Sequence, residues 1–125
     1  MNTYLAHSTE RGRQYTIIKR DIEALGISVY DPPDNAGSMD SRTDHECKEY
    51  VKAVTEKVNE CDVVIAVPED GYYEVSFIMM LARSMGKRVY VLTEEFRSCP
   101  WFRIYSDCIF HDWDAFKAFL LSRLP

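Results

Sequence analysis

The chain has 125 residues, of which 46% are hydrophobic and 28% charged, and its formal net charge is -5. This composition predicts one globular domain over residues 1–125 and excludes a disordered chain. The negative charge and the lack of a basic face argue against nucleic acid or an anionic membrane as a partner. No apolar run approaches the roughly 20 residues that a membrane-spanning helix needs.

The sequence also lacks the usual signals of export, metal binding and dinucleotide binding. Its start, MNTYLAHST, has neither the basic residues nor the long apolar stretch of a signal peptide. The four cysteines show no C-x-x-C spacing and the three histidines are scattered, so we expect no metal site. Neither a P-loop nor a G-x-G-x-x-G fingerprint occurs, and no cofactor is expected. These features predict a cytoplasmic protein with reduced thiols.

The first part of the chain has the pattern strand, helix, strand. Residues 2–6 are short and apolar and predict a strand, which a loop over residues 7–9 follows. Gly26 ends the next helix, and Asp31-Pro32-Pro33 halts a second strand over residues 27–30. The helix has a stripe of apolar residues at helical spacing, formed by Tyr15, Ile18, Ile22 and Leu25.

A polar segment separates this part from the second helix. Residues 34–44, DNAGSMDSRTD, predict a loop at the ligand-binding edge, either a lid or a plain surface loop. Residues 46–60 predict a helix. Its expected buried stripe is Val51, Val54, Val58 and Cys61.

The central stretch reads as strand, tight loop, helix, strand. Residues 62–67 form an apolar, β-branched run that is typical of a strand buried on both faces. A tight loop then leads to a densely apolar helix over residues 75–85, which Gly86 ends. Residues 88–92 return as a second buried strand. Two strands joined by a helix should be parallel, with a right-handed crossover.

The last part ends the alternation of strands and helices. Residues 93–106 predict an irregular segment whose aromatic residues either fill the end of the core or form a subunit contact. Residues 107–110 predict a last strand and residues 112–124 a last helix. The apolar face of that helix is Trp113, Phe116, Leu120 and Leu124.

This alternation predicts an α/β fold. We expect a flavodoxin-like, doubly wound parallel sheet of five strands in the order 2-1-3-4-5, with helices on both faces. In that order the ligand site lies at the switch point between the first and third strands. The loops 7–9 and 68–74 should form the two walls of one pocket there.

Three residues near that edge are candidates for catalysis. Glu74 is expected in the first turn of its helix, where the helix dipole favours an ionised carboxylate. Such a carboxylate can act as the nucleophile at a sugar's anomeric carbon. Asp70 could position a sugar hydroxyl or act as an acid, and Tyr4, expected at its strand end, could hydrogen-bond the carboxylate. The alternatives are a solvated helix-end glutamate, a turn aspartate and a core tyrosine.

A second set of residues is expected to bind substrate. Ser8, Thr9 and the backbone amides at the start of the first helix could hold a phosphate, with help from Arg11 or Arg13. His7 is expected as a polar loop residue and is not part of a Ser-His-Asp arrangement, because no nucleophile elbow is present. The predicted binding set is His7, Ser8, Thr9, Arg11, Asp31 and Gly71.

Four segments together resemble a known family. They are TYLAHS, LGISVYDP, ECDVVIAVPEDGYYE and LARSMGKRVYVL, and they look like the nucleoside 2-deoxyribosyltransferase family, whose superfamily includes deoxynucleoside-monophosphate N-glycosidases. The resemblance implies cleavage of a nucleoside's N-glycosidic bond by a glutamate nucleophile, and transfer of the sugar to another base or to water. It matches Glu74 to the nucleophile, Tyr4 to the tyrosine of the first strand and Asp70 to the loop aspartate. It also implies a homodimer or larger homo-oligomer, in which a neighbouring subunit completes the site.

Two positions depart from the family's pattern. The family's glutamate falls by spacing at Ile78, one helical turn after Glu74 on the same face. A supporting aspartate of the family falls at Val54. These departures favour a second hypothesis, a non-catalytic nucleotide sensor or interaction module on the same fold. A weaker resemblance to TIR domains, through the element order and the AHST segment, implies a third, an NAD glycohydrolase.

Overall fold

A computed structural model of the chain describes residues 1–7, 13–32, 42–68, 72–94 and 99–124. The strands are β1 (Asn2–His7), β2 (Ser28–Tyr30), β3 (Val63–Val67), β4 (Arg88–Leu92) and β5 (Cys108–Phe110). The helices are α1 (Arg13–Glu23), α2 (Asp44–Glu60), α3 (Tyr72–Ser84), α4 (Pro100–Ile104) and α5 (Trp113–Arg123).

The five strands form one parallel sheet in the order β2-β1-β3-β4-β5, which confirms the predicted order. β1 and β3 lie side by side in the centre, and their register pairs Ala6 with Ala66 and His7 with Val67. All five residues of β3 are buried, as expected of a strand that helices cover on both faces. The predicted flavodoxin-like fold class is thus correct.

Two apolar cores lie on opposite faces of this sheet. On one face α2, α3 and α4 cover the inward residues of the central strands, and Val58, Met79 and Phe102 are buried there. On the other face α1 and α5 cover the alternate residues, and Ile22 and Phe116 are buried. We call these two sides the α2–α4 face and the α1–α5 face.

Local sequence signals explain where the helices begin and end. Thr43 and Glu46 form a capping box at the start of α2, and the Asp112 carboxylate accepts a hydrogen bond from the Ala115 backbone N–H at the start of α5. Gly26 and Gly86 follow α1 and α3 with φ of 88° and 72°, a backbone conformation that favours glycine.

An ion pair holds the far end of α3 against the sheet. Arg83 Nη1 lies 3.0 Å from each carboxylate oxygen of Asp107, just before β5. Asp107 Oδ2 also accepts a hydrogen bond of 2.8 Å from the Val89 backbone N–H in β4. The carboxylate of Asp107 thus connects the end of α3 to β4.

Four predictions about local structure were wrong. Tyr4 lies in the middle of β1 rather than at its end, and His7 is the buried last residue of that strand rather than part of a loop. The segment predicted as irregular contains helix α4, which begins at a proline that suits the first turn of a helix. Val51 was expected in the buried stripe of α2, but its side chain is 61% exposed.

Other outcomes concern the ends of elements and the cysteines. Helix α2 begins at Asp44 and helix α3 at Tyr72, in both cases before the predicted start. The predicted loop over residues 34–44 lies mostly outside the described residues. All four cysteines are free thiols. None of the described helices is both long enough and apolar enough to cross a membrane.

Candidate functional site

Glu74 lies in the first turn of α3, as predicted. Its side chain is neither buried nor fully exposed, and its Oε1 accepts a hydrogen bond from the hydroxyl of Tyr50 on α2. The two residues belong to the helices that precede and follow the central strand β3. A carboxylate from one crossover helix is therefore held by a phenol from the other.

A groove of about 300 Å³ runs between α2 and α3 beside this hydrogen bond. Tyr50 and Val54 line it from α2, one helical turn apart, and Glu74 and Ile78 line it from α3 with the same spacing. The polar pair and the apolar pair therefore form successive layers of one groove. The other lining residues are Arg42, Cys47, Val51, Thr55, Phe77 and Leu81.

Most of the groove is apolar, and much of it faces solvent. Phe77 and Val51 are 68% and 61% exposed, although both are large apolar side chains. Arg42 stands before α2 with its guanidinium carbon 4.5 Å from the centre of the Tyr50 ring, a distance typical of a cation–π contact. The site thus combines an apolar surface suited to a flat ring with one carboxylate and one guanidinium.

Tyr4 lies close to this polar pair. It is 1% exposed, and its ring centre lies 5.5 Å from that of Tyr30. Burial raises the pKa of the Tyr4 phenol well above its usual range, and the nearby charges of Tyr50, Tyr30 and Glu74 add to the effect. Tyr4 is therefore a neutral phenol at physiological pH, and such a group can donate a hydrogen bond to a carboxylate.

His7 and Asp31 form a second polar pair at the carboxyl ends of β1 and β2. The Nε2 atom of His7 lies 2.5 Å from Oδ1 of Asp31. The His7 side chain is completely buried, whereas that of Asp31 is 20% exposed. Of these two predicted binding residues, Asp31 keeps part of its side chain at the surface, whereas His7 lies within the core.

The remaining predicted site residues lie outside the described part of the chain. They are Ser8, Thr9, Arg11, Asp70 and Gly71. The predicted pocket between the loops 7–9 and 68–74 involves these residues and stays a prediction. The described residues do place α3, which carries Glu74, against β1, which carries Tyr4.

Sequence reasoning missed Tyr50 and Arg42. One signal could have found Tyr50: it precedes Val54 by four residues, so the stripe that continues through Val54 and Val58 includes position 50 rather than 51. The contact of Arg42 with the Tyr50 ring has no such signal. Among the described residues no group of three or more His, Cys, Asp or Glu side chains could hold a metal ion.

Solved structures share this fold over almost the whole chain. The 2-deoxyribosyltransferase of the psychrotolerant bacterium Bacillus psychrosaccharolyticus has a TM-score of 0.76 and 16% sequence identity, and the match covers 94% of this chain and 90% of that one. The flavodoxin-like class is thus shared with a 2-deoxyribosyltransferase. The resemblance drawn from the sequence is confirmed at the level of the fold.

Two further structures are similar. The CMP N-glycosidase BcmB of Clostridium botulinum has a TM-score of 0.64 and 20% identity, and the match covers 99% of this chain and 100% of that one. A conserved protein from Enterococcus faecalis V583 has a TM-score of 0.62 and 20% identity, with coverage of 98% and 86%. No protein-family model matches the chain, and no curated protein is significantly similar in sequence.

Proposed function

We propose that the chain cleaves or transfers at the N-glycosidic bond of a nucleoside or nucleotide, with Glu74 as the nucleophile. The observation that carries the proposal is the half-buried Glu74 carboxylate, hydrogen-bonded by Tyr50 at the edge of an apolar groove. The fold supports it, because two structures that share the fold are named for deoxyribosyl transfer and CMP N-glycoside cleavage.

The proposed reaction has two steps at one carbon. An oxygen of the Glu74 carboxylate bonds to C1′ of the sugar, and the bond from C1′ to the base nitrogen breaks. The base leaves with the bonding electron pair and takes up a proton. Water or a second base then bonds to C1′ and gives up a proton, which replaces the one taken up by the leaving base. The ester bond to Glu74 breaks, and the carboxylate is restored.

The other predicted residues have supporting roles in this proposal. Tyr4, as a neutral phenol, donates a hydrogen bond to the carboxylate, and Asp70 positions a sugar hydroxyl or protonates the leaving base. Asp31, supported by His7, binds a polar group of the substrate. Ser8, Thr9, Arg11 and the backbone at Gly71 hold the hydroxymethyl or phosphate end.

The test is release of free base. The purified protein is incubated with a panel of nucleosides, deoxynucleosides, their 5′-monophosphates and NAD, and free base is measured by chromatography. We expect base release by the unaltered protein and a loss of about a thousandfold or more in Glu74→Gln, because the amide is a poor nucleophile. Glu60→Gln makes the same change at an exposed carboxylate of α2 and should release base normally.

Equal rates of base release in Glu74→Gln and the unaltered protein would show that Glu74 is not the nucleophile.

A second candidate function is the non-catalytic nucleotide sensor. It is favoured by Val54 and Ile78, two apolar side chains that face the groove one turn from the polar pair. Saturable nucleotide binding without base release would support the sensor, and release of nicotinamide alone would support an NAD glycohydrolase.

We also propose a homodimer or larger homo-oligomer. Helices α3 and α4 carry large apolar side chains that face solvent, a common feature of subunit contacts. Trp101 is 59% exposed, Ile104 71% and Met80 39%. By sedimentation we expect a dimer or larger assembly and a smaller species in Trp101→Ser. Ile17→Ser removes a side chain that is 65% exposed on α1 and should leave the assembly unchanged.

The proposed cellular location is the cytoplasm. Cys47, Cys61, Cys99 and Cys108 are free thiols, and a reducing compartment keeps thiols in that state. Localisation of a tagged chain by fractionation tests this proposal. Recovery from the cytosolic fraction supports it, and recovery from a secreted or membrane fraction would contradict it.

A further inference from the structure

Tyr50 is the described side chain that connects α2 to the Glu74 carboxylate. Its hydroxyl donates a hydrogen bond to Oε1 of Glu74. Oε2, the second carboxylate oxygen, is not part of this hydrogen bond. Hydrogen bonds to an ionised carboxylate are shorter and stronger than those between neutral groups. The bond therefore restricts a side chain that has several rotatable bonds.

The Tyr50 ring is itself held on more than one side. The guanidinium of Arg42 covers it, with the carbon 4.5 Å from the ring centre. The capping box of Thr43 and Glu46 fixes the backbone one to two turns before Tyr50, because Thr43 Oγ1 accepts a hydrogen bond of 3.2 Å from the Glu46 backbone N–H. The phenol therefore reaches Glu74 from a fixed position.

The groove shows why this position affects chemistry rather than only stability. Both residues line the same open cavity, and Val54 and Ile78 close the layer beneath them with apolar groups. A carboxylate that attacks carbon must be held close to the reacting atom and in line with the bond to be broken. Without the Tyr50 phenol, Glu74 loses the hydrogen bond that restrains it from α2.

We propose that Tyr50 is a positioning residue that holds the Glu74 carboxylate in the geometry for attack. The inference rests on the proposed function for its chemical consequence, but the restraint on Glu74 is a property of the free protein. Tyr50 does not touch the reacting atoms in this proposal. It acts through Glu74, and it comes from a helix to which sequence reasoning assigned only packing residues.

The test uses Tyr50→Phe, with Tyr30→Phe as the matched control. Tyr30 is partly buried beside Tyr4 and does not line the groove, so the control removes one phenol hydroxyl from the same region. The first measurement is the side-chain rotamer of Glu74 in the free protein, from NMR couplings. We expect one dominant rotamer in the unaltered protein and in Tyr30→Phe, and averaging in Tyr50→Phe.

The second measurement is steady-state release of cytosine from cytidine 5′-monophosphate and 2′-deoxycytidine 5′-monophosphate. In Tyr50→Phe we expect kcat to fall about 10- to 100-fold, because a misplaced nucleophile costs about this much. KM should stay within about twofold, since the ring and its contact with Arg42 remain. Tyr30→Phe should keep both constants.

The outcomes separate this inference from the proposed function. If Glu74 keeps one rotamer in Tyr50→Phe, the positioning role is wrong, whether or not the protein releases base. If the rotamer averages but kcat is unchanged, the role is wrong as well. If the unaltered protein releases no base from any substrate, the proposed function fails, and the rotamer measurement alone decides whether Tyr50 restrains Glu74.

Discussion

Two phenylalanine rings on opposite faces of the sheet, Phe116 and Phe77, are buried to different extents. On the α1–α5 face Phe116 is completely buried and its ring centre lies 5.3 Å from that of Phe110, while Tyr90 meets Phe119 edge-on at 4.9 Å. On the α2–α4 face the groove leaves Phe77 68% exposed. The groove is thus a place on the α2–α4 face where a large apolar ring is left facing solvent.

The different burial of these rings shows where the fold leaves apolar surface accessible to a ligand. The aromatic cluster of the α1–α5 face buries Phe116 completely and contributes stability. The groove of about 300 Å³ leaves apolar surface exposed beside Glu74 and Arg42, which is typical of a binding site with a few placed polar groups. The two faces should therefore respond differently to the same substitution.

The largest expected effect on stability comes from the α1–α5 face. Phe116→Ala removes a buried ring and should lower the free energy of unfolding by about 3–5 kcal/mol. Phe77→Ala removes a ring of the same size from the groove and should change it by about 0.5 kcal/mol or less. Urea unfolding measures the free energy of unfolding of both variants. A cost for Phe77→Ala close to that of Phe116→Ala would show that the groove is closed in solution.

Thiol reactivity should distinguish the two faces next. Burial raises the pKa of Cys108, which packs against the α1–α5 core, to about 11, so about one molecule in a thousand carries the thiolate at pH 8. Cys47 lines the groove and is exposed. We expect iodoacetamide to modify Cys108 at least about a hundredfold more slowly than Cys47, as measured by peptide mass spectrometry.

The alkylation rate of Cys108 should increase with pH, because its pKa is raised and only the thiolate reacts. Between pH 8 and about 11 the thiolate fraction of Cys108 rises about tenfold per pH unit, and its alkylation rate should rise with it. Equal modification of Cys47 and Cys108 at pH 8 would contradict the raised pKa of Cys108.

A smaller effect is expected at the helix starts. Thr43→Ala and Asp112→Ala each remove a side-chain acceptor for a backbone N–H, at distances of 3.2 and 2.8 Å, and should each cost about 1 kcal/mol. Only Thr43 begins the helix that carries Tyr50. Thr43→Ala should therefore also lower kcat for base release, whereas Asp112→Ala should not. An equal fall in both variants would mean that stability alone controls the rate.

Much of the fold could be predicted because its signals are local. The buried run over residues 62–67, the helix-ending glycines Gly26 and Gly86, and the alternation of strands and helices gave the sheet order. The wrong details have physical causes. His7 was expected in a loop because it is polar, but a hydrogen-bonding partner, Asp31, lets it lie buried at the end of β1.

The candidate site could be predicted only in part. Glu74 was expected in the first turn of α3 because a carboxylate suits that position. Tyr50 bonds to it across 24 residues, and a sequence does not show which face of α2 packs against α3. The predicted buried stripe of α2 included Val51, which is exposed, instead of the neighbouring Tyr50. Tyr50 was therefore not considered as a site residue.

Mass spectrometry of the Glu74 peptide tests the central claim most directly. The protein is mixed with 2′-deoxycytidine 5′-monophosphate, quenched in acid during turnover and digested. We expect the peptide containing Glu74 to gain the mass of the deoxyribosyl phosphate, and Glu74→Gln to show no such gain. Base release without this adduct, or with the sugar attached to another residue, would show that Glu74 is not the nucleophile.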